Sequence, residues 1–177
     1  MIKQAYILCG GKGTRLGSLT KNTPKPLLQV RDKPILHYII NELVLIGIKE
    51  IKLVTFYLNE QFDQFIQDEN NRFKGTGIFV SKVLEDKPLG TAGKIIEDCE
   101  KINENIVVLN GDSIFKADEY LKYYIKNFNS TSHSYIRTKY SRETKRFGIL
   151  EICNETNIIK NMLEKDNSLR EGFINTG

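Results

Sequence analysis

Four cations gather around one glycine cluster near the start of the chain. Gly10-Gly11-Lys12-Gly13-Thr14-Arg15 carries two of them, and Lys21 and Lys25 follow, the last inside Pro24-Lys25-Pro26. Glycine has no Cβ, so backbone through Gly10, Gly11 and Gly13 can turn sharply and bring its N–H groups up to a ligand. Bare amides with cations at the carboxyl end of a strand make a phosphate site, and this many positive charges ask for a polyphosphate. A second block, Glu85-Asp86-Lys87-Pro88-Leu89-Gly90-Thr91-Ala92-Gly93, would let backbone lie against a flat ring and read its edge. Its ordinary alternative is a strand-to-helix loop with Thr91 as cap. The third block is Asn110-Gly111-Asp112, after the apolar run Ile106–Leu109. Asn-Gly-Asp is a legitimate turn. A carboxylate at a strand end opposite a triphosphate cradle also suits Mg²⁺, a hard cation that takes carboxylate and phosphate oxygens.

Two common glycine motifs do not fit. A P-loop needs Gly-Lys-Ser/Thr after four spacer residues, and Gly10-Gly11-Lys12-Gly13-Thr14 lacks that order. A dinucleotide fingerprint needs G-x-G-x-x-G opening a helix; here the spacing to Gly17 is one residue too long and Thr20–Pro24 reads as loop. The acidic ribose partner after the second strand is also absent, since Lys52–Thr55 runs into Phe56-Tyr57. His37 and His133 have no companion at ligand or relay spacing and are assigned no role.

The elements that must hold these blocks alternate. Tyr6–Cys9 reads as a buried strand, and Leu27–Val30 as a short extended piece. Asp32 is the expected N-cap, with Pro34 in the first turn, of a helix that stops at Gly47. Ile51–Thr55 is a second strand, and Asn59 the expected cap of a helix with the stripe Phe62, Phe65 and Ile66. Ile78–Val83 is a third strand; a helix ending near Lys101 and a fourth buried strand, Ile106–Leu109, follow. Strand and helix in alternation predict a doubly wound α/β sheet, mainly parallel. Beyond it, Asp118–Phe128 reads as a helix, broken by Asn129–Ser132. Ser134–Tyr140, Phe147–Cys153, Ile158–Leu163 and Phe173–Asn175 read as short strands, with no interdomain linker.

The chain has 177 residues, enough for one domain, at 40% hydrophobic and 27% charged. Its net charge of +4 is scattered, which suits small anions and gives no sign of a nucleic-acid partner. Cys9, Cys99 and Cys153 form no C-x-x-C and no even set, so they read as apolar filler in a reducing compartment. No secretory leader and no apolar run near the roughly 20 residues of a membrane span is present, so the expectation is a cytoplasmic protein with no membrane partner.

Together the blocks resemble the signature of the sugar-1-phosphate nucleotidyltransferases, G-G-x-G-T-R-L followed by P-K-P. The match is complete at Gly10, Gly11, Gly13, Thr14, Arg15, Leu16, Pro24, Lys25 and Pro26. The spelling from Pro88 to Gly93, P-L-G-T-A-G, is most like the mannose- and heptose-1-phosphate guanylyltransferase branch, and departs from the P-x-G-L-A of the thymidylyl branch. Arg146-Phe147-Gly148, Leu163-Glu164-Lys165 and Ile174-Asn175-Thr176-Gly177 resemble smaller family blocks, in family order.

The resemblance implies a Rossmann-like doubly wound, mixed and mainly parallel sheet flanked by helices, the nucleotide-diphospho-sugar transferase fold, as a single domain over 1–177. It implies the reaction NTP + sugar 1-phosphate → NDP-sugar + pyrophosphate, with GTP and heptose or mannose 1-phosphate as the pair. Arg15 would hold the β/γ phosphates, Lys25 the α-phosphate, and Asp112 the Mg²⁺. Leu8, Gly10, Gly11, Gly13, Thr14, Glu85, Pro88, Gly90 and Thr91 would bind the nucleotide. Asn110, Gly148, Glu164, Lys165 and Asn175 would bind the sugar phosphate. Family members continue past I-N-x-G with further strands and a second acidic Mg²⁺ ligand. A fragment, a homo-oligomeric contact in place of that part, and a binding protein without turnover (like the family's regulatory paralogues) all stay open at this point.

Overall fold

β1 (Gln4–Leu8) runs through the middle of a parallel sheet, and Ala5, Tyr6 and Ile7 are fully buried between its two faces. The computed structural model describes residues 1–85, 93–99, 104–128, 134–144, 147–163 and 171–175. Two compact units emerge, Met1–Thr131 and Ser132–Gly177.

In the first unit, β2 (Gln29–Val30) and β3 (Lys33–Pro34) form a small hairpin ahead of α1 (Ile35–Leu45). β4 (Glu50–Thr55), α2 (Phe62–Arg72), β5 (Phe79–Leu84), α3 (Gly93–Cys99), β6 (Ile106–Asn110) and α4 (Glu119–Asn127) follow. The sheet order is β5-β4-β1-β6 with every pair parallel. Alternation along the strands sorts the faces. Ala5, Ile7, Ile51, Leu53, Val80 and Leu109 share one core with Leu36, Ile39, Ile40 and Leu43 of α1, Phe62 of α2 and Ile125 of α4. Tyr6 and Val54 face the other way and pack with Ile95 of α3. Helices therefore cover both faces, as the strand–helix alternation predicted. Each aliphatic side chain taken wholly from water contributes about 1.5–3 kcal/mol, so α1, with four at zero exposure, is pinned hardest. Tyr6 keeps its hydroxyl paired although buried: Lys52 Nζ donates to it at 3.0 Å, and it reaches Asp98 Oδ2 at 3.3 Å. Burial raises its pKa above the usual tyrosine value.

Several local readings hold and others change. α1 ends as expected at Gly47, whose φ is 95°; Gly47 N–H donates to Val44 O at 3.0 Å and Ile48 N–H to Leu43 O at 3.1 Å, a Schellman closure. Its start differs. Arg31 and Asp32 both have positive φ, 48° and 65°, and make the two-residue turn between β2 and β3, so Asp32 is spent on the hairpin and Pro34 takes the N-cap position. Tyr38 Oη fastens that turn by donating to Val30 O at 2.6 Å. Asn59 does not cap α2; it opens a short 3₁₀ turn, and its side-chain oxygen accepts from Lys82 Nζ at 3.4 Å. Asp118 does cap α4, accepting from Leu121 N–H at 2.7 Å. β6, expected as a buried strand, is an edge of the described sheet with Val108 43% exposed. β5 is the other edge, where the Asn70 side chain donates to Val80 O and accepts from Val80 N–H, both at 2.8 Å. His37 lies in the groove between α1 and α2, its Nδ1 2.7 Å from Glu69 Oε1. Glu69, buried to 4%, also accepts from Arg72.

The second unit is an antiparallel sheet of β7 (Thr138–Ser141), β8 (Ile149–Ile152), β9 (Ile159–Leu163) and β10 (Gly172–Asn175), in the order β7-β10-β8-β9. Asn157, at φ 55°, turns the β8–β9 hairpin at the expected Cys153–Asn157 turn. Tyr140 and Phe173 meet edge to face across β7 and β10, ring centres 5.4 Å apart.

Candidate functional site

Parallel strands all end at the same side of a sheet. Leu8 stands level with Val54 and Asn110, and Thr55 with Leu84, so the residues just past β1, β4, β5 and β6 converge there. They are Gly10-Gly11, Phe56, Glu85 and Gly111-Asp112. The order β5-β4-β1-β6 reverses direction between β1 and β6, which is where such a sheet opens a ligand crevice.

Two glycines allow the strand ends to crowd together. A Cβ on Gly111 would stand 2.9 Å from both Leu8 O and Cys9 Sγ and 3.1 Å from Pro26 Cγ. A Cβ on Gly10 would sit 3.2 Å from Glu85 Oε2 and Phe56 Cβ. Gly111 N–H donates to Leu8 O at 2.9 Å, and Cys9 N–H to Val54 O at 2.8 Å, extending the ladders into the loops. Cys9 is enclosed beneath the site; burial first, then the charge of Asp112, pushes its thiol well above the usual range.

The crevice consists of two depressions, about 440 Å³ and 490 Å³. Leu8, Gly11 and Asp112 line both. The first is otherwise walled by Gly10, Val54, Phe56, Glu85, Ile95 and Asn110, with Lys94 at its side. The second is walled by Gly13, Thr14, Arg15, Lys25 and Pro26. Lys25, in a 3₁₀ turn between the buried Pro24 and Pro26, reaches Asp112: Nζ to Oδ2 is 2.5 Å, with each side chain about one-third exposed. Ser113 Oγ donates to Oδ1 of the same carboxylate at 3.3 Å. The segment 14–20 leaves Gly13 (φ 62°) as two 3₁₀ turns kinked at Gly17 and returns at Thr20.

The structure thus brings Leu8, Gly10, Gly11, Glu85, Asn110 and Asp112 to one depression, and Gly13, Thr14, Arg15 and Lys25 to its neighbour. Gly148 and Asn175 belong to the second unit, where the β8–β10 register, Ile149 opposite Ile174, carries them level with each other. Pro88, Gly90, Thr91, Glu164 and Lys165 lie outside the described residues, as do Arg146, His133 and the expected helix end at Lys101. Sequence reasoning passed over Phe56, Ile95 and Thr20, and read Pro26 only as part of the Pro24-Lys25-Pro26 block. Phe56 had a signal, being the first residue past a parallel strand. Ile95 and Thr20 become neighbours of these residues only when distant segments fold together. Among the described residues no set of three His, Cys, Asp or Glu side chains could hold a metal ion. Nor is any described helix long and apolar enough to cross a membrane.

The nucleotidyl transferase family model matches residues 4–177. The D-glycero-α-D-manno-heptose 1-phosphate guanylyltransferase of Campylobacter jejuni is 34% identical over 174 residues, covering 98% of this chain and 73% of its own. The mannose-1-phosphate guanylyltransferase catalytic subunit beta of Xenopus tropicalis is 31% identical over 179 residues, with 98% of this chain and 48% of that protein covered. Among solved structures, HddC from Yersinia pseudotuberculosis in complex with GMP-PN superposes with a TM-score of 0.72 at 28% identity, over 99% of this chain and 75% of that one.

Proposed function

This chain belongs to the nucleotidyl transferase family and is an enzyme of that class, and from that premise we propose that it joins GTP to a heptose or mannose 1-phosphate, releasing pyrophosphate. The observation that carries the reading is the Lys25–Asp112 pair, which closes a glycine-rich cradle at the switch point of a parallel sheet. Each partner there holds a counter-charge that it can trade for substrate: Lys25 a phosphate oxygen, Asp112 a cation.

In the reaction an oxygen of the sugar phosphate forms a bond to the α-phosphorus, and the bond from that phosphorus to the bridging oxygen breaks. Pyrophosphate leaves with the electron pair. No covalent nucleophile is needed from the protein, which supplies positioning and charge. Arg15 holds the β and γ phosphates against the amides of Gly11 and Gly13. Lys25 neutralises charge growing on the α-phosphate. Glu85 brings a carboxylate oxygen, Oε2, beside Gly10 in the depression that Phe56 also lines; among the bases, guanine offers the adjacent N1–H and N2–H₂ donors that a carboxylate pairs with. Asn110, with Gly148, Glu164, Lys165 and Asn175, is assigned to the sugar phosphate, and Pro88, Gly90 and Thr91 to the nucleotide.

The donor set fits Mg²⁺. Mg²⁺ is commonly held by one or two carboxylates together with substrate phosphates, and Asp112 is a partly exposed carboxylate at the mouth shared by both depressions. Once bound it would supply charge neutralisation between the two polyanions. A cytoplasmic setting and no nucleic-acid or membrane partner suit this substrate pair.

The test is pyrophosphate release with Mg²⁺, using GTP, CTP, UTP, ATP and dTTP against a panel of sugar 1-phosphates. Release confined to GTP with a manno-configured sugar phosphate is expected. Release with another base would overturn the Glu85 assignment. Silence across the panel with GTP still bound would leave a binding protein instead.

A further inference from the structure

We propose that Thr20 is a positioning residue of the phosphate-binding loop, acting through Arg15; this rests on the role just given to Arg15. Residues 14–19 are all exposed, whereas Thr20, which ends the segment, is buried to 2%. Its hydroxyl donates to Gly13 O at 2.9 Å, with Gly17 O at 3.4 Å as the second acceptor in reach. Its methyl occupies the room a side chain on Gly13 would need: a Cβ there would meet Thr20 Cγ2 at 2.9 Å. One side chain thus grips Gly13 by a polar and an apolar contact and closes 13–20 into a ring.

The ring is fastened on its far side. Tyr57 Oη, just past the end of β4, donates to Lys21 O at 2.8 Å, and Thr20 O lies 3.3 Å away. Gln61 Nε2 donates to Asn22 O at 2.9 Å. Leu16 N–H returns to Gly13 O at 2.9 Å, so the carbonyl that Thr20 holds also orders the turn that bears Arg15. An arginine on a loosely tethered loop must lose much freedom when it meets a phosphate. A latched ring has lost part of it already, and that portion is returned as binding or rate.

The experiment compares Thr20→Val, Thr20→Ser, Arg15→Ala and the Thr20→Val/Arg15→Ala double variant. It reads kcat and KM for pyrophosphate release and, separately, the rate at which trypsin cuts after Arg15 in the native chain. Thr20→Val should lower kcat/KM roughly ten- to a hundredfold, and Thr20→Ser, which keeps the donor, should recover most of that. On the Arg15→Ala background, Thr20→Val should cost less than about threefold more, because the group it acts through is gone. Trypsin should cut after Arg15 faster in Thr20→Val than the variant's change in global stability accounts for. Losses that multiply in the double variant, no recovery with serine, or unchanged cutting would each overturn the proposal. Should the wild-type chain release no pyrophosphate at all, the functional reading falls. The trypsin rate and calorimetric binding of tripolyphosphate would then still decide whether Thr20 holds the loop.

Discussion

At the 2.5 Å between Lys25 Nζ and Asp112 Oδ2, one charge comes from a turn after the glycine loop and the other from the end of β6. Neither is deeply buried, so both can exchange partners without the large desolvation cost of an interior ion pair. Charge that grows on the α-phosphate only as the bond forms is met by Lys25 at that moment, so the lysine should matter more to turnover than to affinity. Lys25→Met is expected to retain GTP binding while kcat falls by about a hundredfold or more. Calorimetry beside steady-state kinetics checks this, and equal loss in both would remove the assigned role. Chemistry of this kind is legible in a sequence because it is tied to residue type: Gly10, Gly11, Arg15, Lys25 and Asp112 announce an anion and a cation wherever they stand. Thr20 announces nothing, since a threonine in a loop is ordinary until folding gives it a neighbour, and Phe56 is marked only by its place just past a strand.

Elements carry the next level. β1 and β6 approach so closely beyond their last paired residues that only Gly111 fits between Leu8 O, Cys9 Sγ and Pro26. Two of those neighbours are backbone and ring, which cannot swing aside as a flexible side chain would. Gly111→Ala should therefore push the end of β6 from β1 and carry Asp112 out of reach of Lys25. A loss of about 1–3 kcal/mol in stability and at least roughly tenfold in kcat/KM is expected. Denaturant titration and kinetics on one preparation test it, and a stability loss with intact kinetics would contradict the linkage. The strands and helices themselves were readable, since apolar alternation and helical spacing survive in a one-dimensional string. Their ends were less so. Asp32 suits a helix cap and a left-handed turn equally well by type, and the hairpin of β2 and β3 claimed it. Nothing in Ile106–Leu109 marks β6 as an edge, because strand order follows from crossovers and not from local composition.

Across the whole molecule, the first unit rests on a core that includes a thiol almost wholly removed from water, Cys9 at 1% exposure. Burial, and then Asp112, holds the Cys9 thiol above its usual pKa. The unfolded chain would ionise that thiol from about pH 8.5 upward while the folded chain keeps it protonated. Its contribution is therefore complete below that pH and is lost progressively as pH rises toward the folded value. The denaturation midpoint should fall between about pH 8 and about pH 10 more steeply in the wild-type chain than in Cys9→Ala, and equal slopes would exonerate the thiol. Another property of the first unit follows from a single amide. Asn70 takes both hydrogen-bonding groups of Val80 on the outer margin of β5. An extended segment of a neighbouring molecule that drifts alongside this margin finds those two groups already engaged. The row along which one sheet could be continued into another is interrupted there, which works against edge-to-edge pairing along β5.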